Sequence, residues 1–388
     1  MADDSFAFFS QTVQDPWKAA KEWKEKTGGA VIGWLPADVP EELIMAAGAL
    51  PVAIVGSGGT INLADAHLQV WACSFARSGL ELALRGDLSF LDGVVIPQTC
   101  DTTRTLYGIW RHCFPGRWVE VYLLPRQVER PSAAAYLREE LLRLKAALEK
   151  LTGREITPTG LARAWELNAS CRRLLGRLYD WHAAHPEAFS SEDLYTIIRA
   201  ATLVPKEDLL PRLQGLVAAL GVTEVSQAEL AAAGMGRGKQ RVFLSGSLAA
   251  PADIFSLFEE AGLTVVGDDL HLGYRYLFPA EPAGEDPLGW IIARQLHLPP
   301  TGYLNPVGVD RRHYLLEALK RRGAKGLVFL HLRFCEPENY DYYDLNQALA
   351  QAGVPALRLE TDFQGTSLGQ IATRLEAFAE MLGGGIDA

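Results

Sequence analysis

Short apolar runs, each followed by a helix-patterned stretch, constrain this 388-residue chain more than any other feature. AVIGWL (30–35), PVAIVG (51–56), GVVIP (93–97) and WVEVYLL (118–124) alternate with helical patterns through EELIMAAGA, residues 68–85 and TLYGIWRH. Runs that stay apolar belong to strands covered on both faces, and the helices between them supply the crossovers of a parallel sheet. The alternation lapses over 132–235, where SAAAYLREELLRLKAALEKLTG and TGLARAWELNASCRRLLGRLYDWHAA carry a 3.6-residue period and few strand signals. It resumes with RVFLSGS (241–247), LFEEAGLTVVGDD (257–269), KGLVFLHLRF (325–334) and VPALRLE (354–360). Helices are expected through VDRRHYLLEALKRRG, NYDYYDLNQALAQAG and about 367–382, and the stretch from Phe278 to Pro306, with six prolines, is expected to be partly irregular. The predicted fold class is α/β, with two Rossmann-like (flavodoxin-like) parallel-sheet lobes over 1–130 and 239–388. Residues 131–238 form a helical insertion that bridges them.

Charge and composition narrow the function. Lys plus Arg number 37 against 47 Asp plus Glu, a net charge of −10, which argues against a nucleic-acid surface. No apolar run approaches about 18 residues, so no membrane span is predicted. The start, MADDSFAFFSQTVQDPWK, is acidic where a secretion signal is basic, and a cytosolic (cytoplasmic) location is expected. No G-x-x-x-x-G-K-[ST] occurs, so this chain is not expected to hydrolyse ATP itself.

The chemistry-bearing residues are the cysteines. There are five, an odd number without a CxxC pair, which gives no sign of a disulfide framework. Ligands of open parallel sheets gather beyond the carboxyl ends of the strands. Cys100 follows GVVIP, Cys335 follows GLVFLHLRF, and Cys73 opens CSFARSGLELAL. Thiolates at such places are stabilised by backbone donors. Cys113 and Cys171 lie inside helical patterns and are expected to pack. Three thiolates meeting where the lobes face one another would hold a soft metal or an iron–sulfur cluster with one iron open. Burial of each as a small hydrophobe is the competing reading.

Other signals carry less. Gly365-Thr366-Ser367-Leu368-Gly369 has the nucleophile-elbow spacing, but no histidine follows Ser367, so a serine hydrolase is rejected. The glycines and Ser367 either cap the last helix or hold a phosphate at its start, and GSGGT (56–60) either binds phosphate or is a flexible turn. Asp268-Asp269 either does acid/base or metal chemistry or caps the next turn. Arg275 and Arg374 either anchor phosphates or form surface or inter-lobe pairs. Trp71, Trp110 and Tyr340, Tyr342 and Tyr343 either wall an aromatic pocket or fill the core.

Several blocks in order resemble the 2-hydroxyacyl-CoA dehydratase and ATP-dependent benzoyl-CoA reductase superfamily. They are VPEELIMAAGALPV (39–52), LQVWACSFARSGLELALRGDLSFLDGVVIPQTCDTTRTLYGIW (68–110), LSGS (244–247), VVGDDLHLGYRY (265–276), RFCEPENYDYYDL (333–345) and GQIATRLEAF (369–378). The resemblance implies a [4Fe-4S] cluster held by three cysteines per chain, which match Cys73, Cys100 and Cys335. It implies an acyl-CoA substrate, a related second subunit in a heterodimer or larger assembly, and a separate ATP-dependent iron–sulfur activator that delivers a low-potential electron. Dehydratases of this kind use the electron catalytically to expel water from a 2-hydroxyacyl-CoA, and the reductases consume electrons to dearomatise a benzoyl-type ring. The wording of LQVWACSFARS and FLDGVVIPQTCDTTR is closer to the reductase side. An electron-relay partner subunit is a third reading. The residues expected to face substrate are Ser245, Arg275, Ser367, Gln370 and Arg374. Where many relatives have cysteine before VPEEL this chain has Trp34-Leu35-Pro36, and where they have cysteine after DDL it has His271. Both departures argue against the double-cubane relatives. His271 is either a proton donor near the cluster or a hydrogen-bonded loop histidine.

Overall fold

The computed structural model describes residues 2–36, 38–233, 239–250, 254–282, 284–304, 309–364 and 368–384. Two helices, α1 (Ala2–Gln14) and α2 (Lys18–Thr27), precede the first sheet. That sheet comprises β1 (Val31–Trp34), β2 (Leu50–Ala53), β3 (Gly93–Pro97) and β4 (Trp118–Tyr122), interleaved with α3 (Glu41–Ala46), α4 (Ser74–Leu84) and α5 (Asp101–Cys113). A run of helices follows: α6 (Ser132–Thr152), α7 (Pro158–Ala184), α8 (Ser191–Ala200), α9 (Lys206–Ala219) and α10 (Gln227–Ala232). The second sheet comprises β5 (Gln240–Gly246), β6 (Leu263–Asp268), β7 (Gly326–Leu332) and β8 (Ala356–Thr361). Its helices are α11 (Ile254–Glu260), α12 (Tyr274–Leu277), α13 (Pro287–His297), α14 (Arg311–Arg322), α15 (Glu336–Gln351) and α16 (Leu368–Gly383).

Both sheets are parallel and share one order, β2-β1-β3-β4 and β6-β5-β7-β8. These are the first four positions of the flavodoxin-type order, in which the site lies beyond the central strands' carboxyl ends. β1, β3 and β7 are buried at every position, which explains why they read as unbroken apolar runs. The edge strands β4 and β8 are only partly covered.

The helical layer belongs to both lobes. One core joins α7, α8 and α9 to β5, β6, β7, α11 and α16 through residues such as Leu175, Ile198, Leu213, Val242 and Leu375. A second joins α6 and α7 to the first sheet through Leu137, Leu144, Trp165, Ile32 and Val95. Two pieces distant in sequence complete the layer. Phe9 of α1 enters the first core, and Ile291 and Ile292 of α13 enter the second, so part of the proline-rich stretch is a regular helix.

Buried ion pairs stitch the layer to the lobes. In the VPEEL segment, Glu42 Oε1 accepts from Arg172 Nη1 at 2.6 Å and Asn168 Nδ2 at 3.1 Å, and Glu41 Oε1 accepts from Lys206 Nζ at 3.1 Å. Asp268 accepts from the hydroxyls of Tyr179 (2.8 Å) and Tyr195 on the layer. It also caps its own loop through the backbone N–H groups of Leu270 and Tyr274, the capping alternative expected for it. Gly273 accommodates this loop, since a Cβ there would stand 2.0 Å from the Asp268 carboxylate.

Candidate functional site at the seam of the two lobes

A third core lies along the seam. It combines Ala72, Cys73, Phe75 and Leu106 of the first lobe with Leu248, Leu332 and Phe363 of the second, and Cys335 packs against it. The carboxyl ends of both sheets therefore meet here.

Three helices begin at this seam, and the residue capping each is a cysteine: Cys73 for α4, Cys100 for α5 and Cys335 for α15. The first-turn N–H groups of each helix point at the sulfur: those of Phe75 and Ala76 at Cys73, of Thr103 at Cys100 and of Glu338 at Cys335. Ser247 Oγ stands 3.8 Å from Cys335 Sγ. Cys73 lies between the other two electrostatically. Burial pushes its thiol up to about 11, and the neighbouring Cys100 sulfur adds to the rise. Burial also pushes the Cys335 thiol up, with Glu338 and Cys73 adding to it. A neighbouring sulfur thus disfavours the Cys73 and Cys335 anions while helix N-termini favour them, a conflict that a shared cationic centre resolves.

Residues flanking all three cysteines line one cleft of about 600 Å³: Ala72, Asp101, Phe334 and Glu336, with Trp71 and Tyr340 at its walls. A second cleft of about 450 Å³, lined by Ser74, Arg77, Arg333 and Gln364, shares Ala72 and Phe334 with it. Phe334 has φ of 65°, and Asp38 has φ of 59°; among the described residues these are the non-glycine positions in the left-handed region. For a bulky side chain that conformation costs on the order of 1–3 kcal/mol and tends to mark a functional turn. Among the described residues, no three His, Cys, Asp or Glu side chains stand close enough to share a single metal ion. In an iron–sulfur cube each thiolate takes a different iron, so its ligands stand apart around the cluster body. The donor set fits such a group: soft sulfurs, backbone donors aimed at them, and an open cleft beside them.

The other expected residues are placed less simply. His271 is buried, and burial lowers its pKa to about 4. Its ring packs on Tyr303, and Nδ1 has no protein partner. It lines a small interior cavity with Trp34, Asp38 and Arg172. Its backbone N–H donates to the carbonyl of Ser247, the residue beside Cys335.

Arg275 and Ser245 are corrections to the substrate-facing set. Arg275 is 1% exposed and grips Asp38 with Nε (2.8 Å) and Nη2 (2.6 Å), while Nη1 donates to the Pro299 carbonyl. It is the inter-lobe pair held open as its alternative. Ser245 is fully buried and donates to Asp269 Oδ2 at 3.0 Å. Gln370 and Arg374 are exposed on α16, and Ser367 lies outside the described residues. Trp71 and Tyr340 line the cysteine cleft, whereas Trp110 is packed in the core against Phe114. Cys171 is buried in the helical core, and Cys113 Sγ lies 3.6 Å from His67 Nδ1 near the surface.

Arg311 escaped the sequence reading. It is 4% exposed, and its guanidinium meets Glu338 (2.9 Å), Asp341 (3.0 Å) and Asp269 (3.2 Å). Asp269 is pushed up to about 6 by burial, with Arg311 opposing. Glu338 is held below its usual range because Arg311, His331 and His271 outweigh its burial. Inside RRHYLLEALKRR nothing marks the first arginine as buried; the only local clue is its place just after the helix-capping Asp310.

Comparison with known proteins gives the family. The family described as 2-hydroxyglutaryl-CoA dehydratase, D-component, matches residues 36–382. The chain is 30% identical over 326 residues to one of the subunits of benzoyl-CoA reductase from Thauera aromatica, covering 82% of each chain. It is 26% identical to the (R)-phenyllactyl-CoA dehydratase beta subunit of Clostridium sporogenes, covering 98% of this chain and 99% of that one. It is 28% identical to the (R)-2-hydroxyglutaryl-CoA dehydratase beta subunit of Acidaminococcus fermentans, covering 96% and 98%. The chain therefore belongs to the 2-hydroxyglutaryl-CoA dehydratase D-component family.

Proposed function

We propose that this chain is the iron–sulfur subunit of an acyl-CoA-acting enzyme of the benzoyl-CoA reductase type, working with a related second subunit and an ATP-dependent activator. Cys73, Cys100 and Cys335 would hold a [4Fe-4S] cluster. One observation carries the reading: three cysteines far apart in sequence each cap a helix whose start faces the same cleft. The cluster, when bound, supplies low-potential one-electron chemistry and an iron with an open position. This chain's residues contribute the rest. The N-termini of α4, α5 and α15 stabilise the three thiolates. Trp71, Phe334 and Tyr340 provide an apolar wall against which an acyl group and its thioester lie. His271, neutral at pH 7, keeps an imidazole N–H to donate, and its unpartnered Nδ1 meets any polar group entering the interior cavity.

A second reading, subunit of an (R)-2-hydroxyacyl-CoA dehydratase, is favoured by the dehydratase relatives, which match over nearly their full length. Anaerobic assay of the complete complex with activator, reductant and candidate acyl-CoAs separates the two. Ring reduction of an aromatic acyl-CoA supports the first, water loss from a 2-hydroxyacyl-CoA the second. Activity surviving loss of this chain's cleft residues, but not of its cysteines, assigns it the relay role. Iron and sulfide analysis of the anaerobically purified chain tests the ligand set: Cys100→Ser is expected to lose the cluster, and an unchanged content removes Cys100 from it.

A further inference from the structure

Cys335 is the one ligand contributed by the second lobe, so the shape of the three-sulfur site depends on where α15 begins. That helix is capped by a weakly accepting thiol, and the residue before the cap, Phe334, is held at a left-handed φ of 65°. Its exposed side is tied to β8 by Arg358, which donates to Asn339 Oδ1 (2.9 Å), and its buried side is held by one side chain from another helix. Arg311 Nη2 donates to Glu338 Oε2 (2.9 Å) and Nη1 to Asp341 Oδ2 (3.0 Å), three and six residues beyond Cys335. The same Nη2 reaches Asp269 Oδ2 (3.2 Å) at the end of β6 and Ser245 Oγ (3.3 Å) at the end of β5. One guanidinium thus ties the cysteine-bearing helix to the carboxyl edge of the second sheet. A planar fork spans several carboxylates at once, which a lysine ammonium does not. β5 can approach so closely only because Gly246 follows Ser245, since a Cβ at Gly246 would lie 2.1 Å from the Leu330 carbonyl of β7.

We infer that Arg311 is a positioning residue for the cluster: it sets where Cys335 presents its sulfur, and Glu338, held by it, places a negative charge one helical turn behind that sulfur. This rests on the cluster reading proposed above. Negative charge beside an iron–sulfur centre lowers its reduction potential.

The test uses the full-length chain with its partner subunit, purified anaerobically as wild type, Arg311→Lys, Glu338→Gln and Cys335→Ser. Iron and acid-labile sulfide, the electron paramagnetic resonance spectrum of the reduced cluster and its midpoint potential are measured. Arg311→Lys keeps the charge but loses the fork, and is expected to reduce cluster content and broaden the spectrum of what remains. Glu338→Gln is expected to keep the cluster and shift its potential upward. Wild-type content, spectrum and potential in both, with only a lower melting temperature, would overturn the inference and leave Arg311 a structural residue. If Arg311→Lys fails to fold, the potential of Glu338→Gln decides alone. A wild-type complex without a cluster, or one whose content survives Cys335→Ser, overturns the ligand reading itself, and the inference with it.

Discussion

Cysteine is a poor choice for a helix cap. Its thiol is a weak acceptor, and Ser, Thr, Asp or Asn in the same place holds the first-turn N–H groups better. Cys73, Cys100 and Cys335 all occupy caps at one seam, so capping strength has been forgone at three places where sulfur is available to something else. Cys100→Ser should therefore cost the cluster-free chain less than about 1 kcal/mol, or stabilise it slightly, while abolishing iron binding. Thermal unfolding beside iron analysis separates the two effects. Cys171→Ser should do the reverse, because Cys171 is buried in the helical core and pushed up to about 11 by that burial. It should lower stability by about 1–3 kcal/mol and leave iron content unchanged.

The buried histidines His271 and His331 add a pH dependence. Burial lowers both His271 and His331 from 6.5 to about 4. Depressed histidines stabilise the fold fully above pH 6.5, and this is lost as pH falls through about 4, by about 2–3 kcal/mol each. Asp269 acts oppositely: raised to about 6, it contributes fully below its ordinary 3.8 and nothing once pH has risen through 6. His182 is lowered by burial too, and Asp268 and Asp341 are raised as Asp269 is, so the share of His271 and His331 is read by difference, as a fall in the melting temperature of the cluster-free chain between pH 7 and pH 4.5 that depends on these two rings. Replacing both histidines with Gln should flatten that fall.

Among the elements, α7 does the joining. Its 27 residues send Trp165 into the core of the first lobe and Leu175, Leu178 and Tyr179 into that of the second. Asn168 and Arg172, one turn apart, meet Glu42 of α3. The Glu42–Arg172 pair is 4% exposed at both ends. Arg172→Met should leave Glu42 buried without its hydrogen-bonded cation, with only the charge of Arg294 nearby, and cost about 3–5 kcal/mol, whereas Glu42→Gln with Arg172→Met should recover most of that loss. Denaturant unfolding of the two single variants and the double one measures the coupling. The acidic residues of VPEEL are read from this geometry as anchors of the helical layer.

For the molecule as a whole, contacts of long sequence range add to the seam core and the shared helical layer in fixing the relation between the lobes. Asp38 on the first lobe accepts from Arg275 and Tyr303 on the second, 237 and 265 positions away. Arg275→Met should lower stability by about 3–5 kcal/mol by stranding the Asp38 carboxylate. It should also speed proteolytic cleavage between the lobes, measured as the appearance of lobe-sized fragments under native conditions. Unaltered cleavage would mean that the seam core and the shared helical layer hold the lobes together without this pair.

The chain's order of residues was enough for the eight strands, because strands buried on both faces run mostly apolar and the partly covered edge strands β4 and β8 alternate apolar with polar residues. It was enough too for the helical middle and for the three cysteines at strand ends and helix starts. Local pattern did not reveal that α1 and α13 join the helical layer, or that Arg275 and Arg311 turn inward. A charged side chain at a helix start looks the same whether it meets water or a carboxylate folded in from far along the chain. Only packing brings Asp38 to Arg275 and gathers Asp269, Glu338 and Asp341 around Arg311, and only there does the desolvation of those charges make their pairing obligatory.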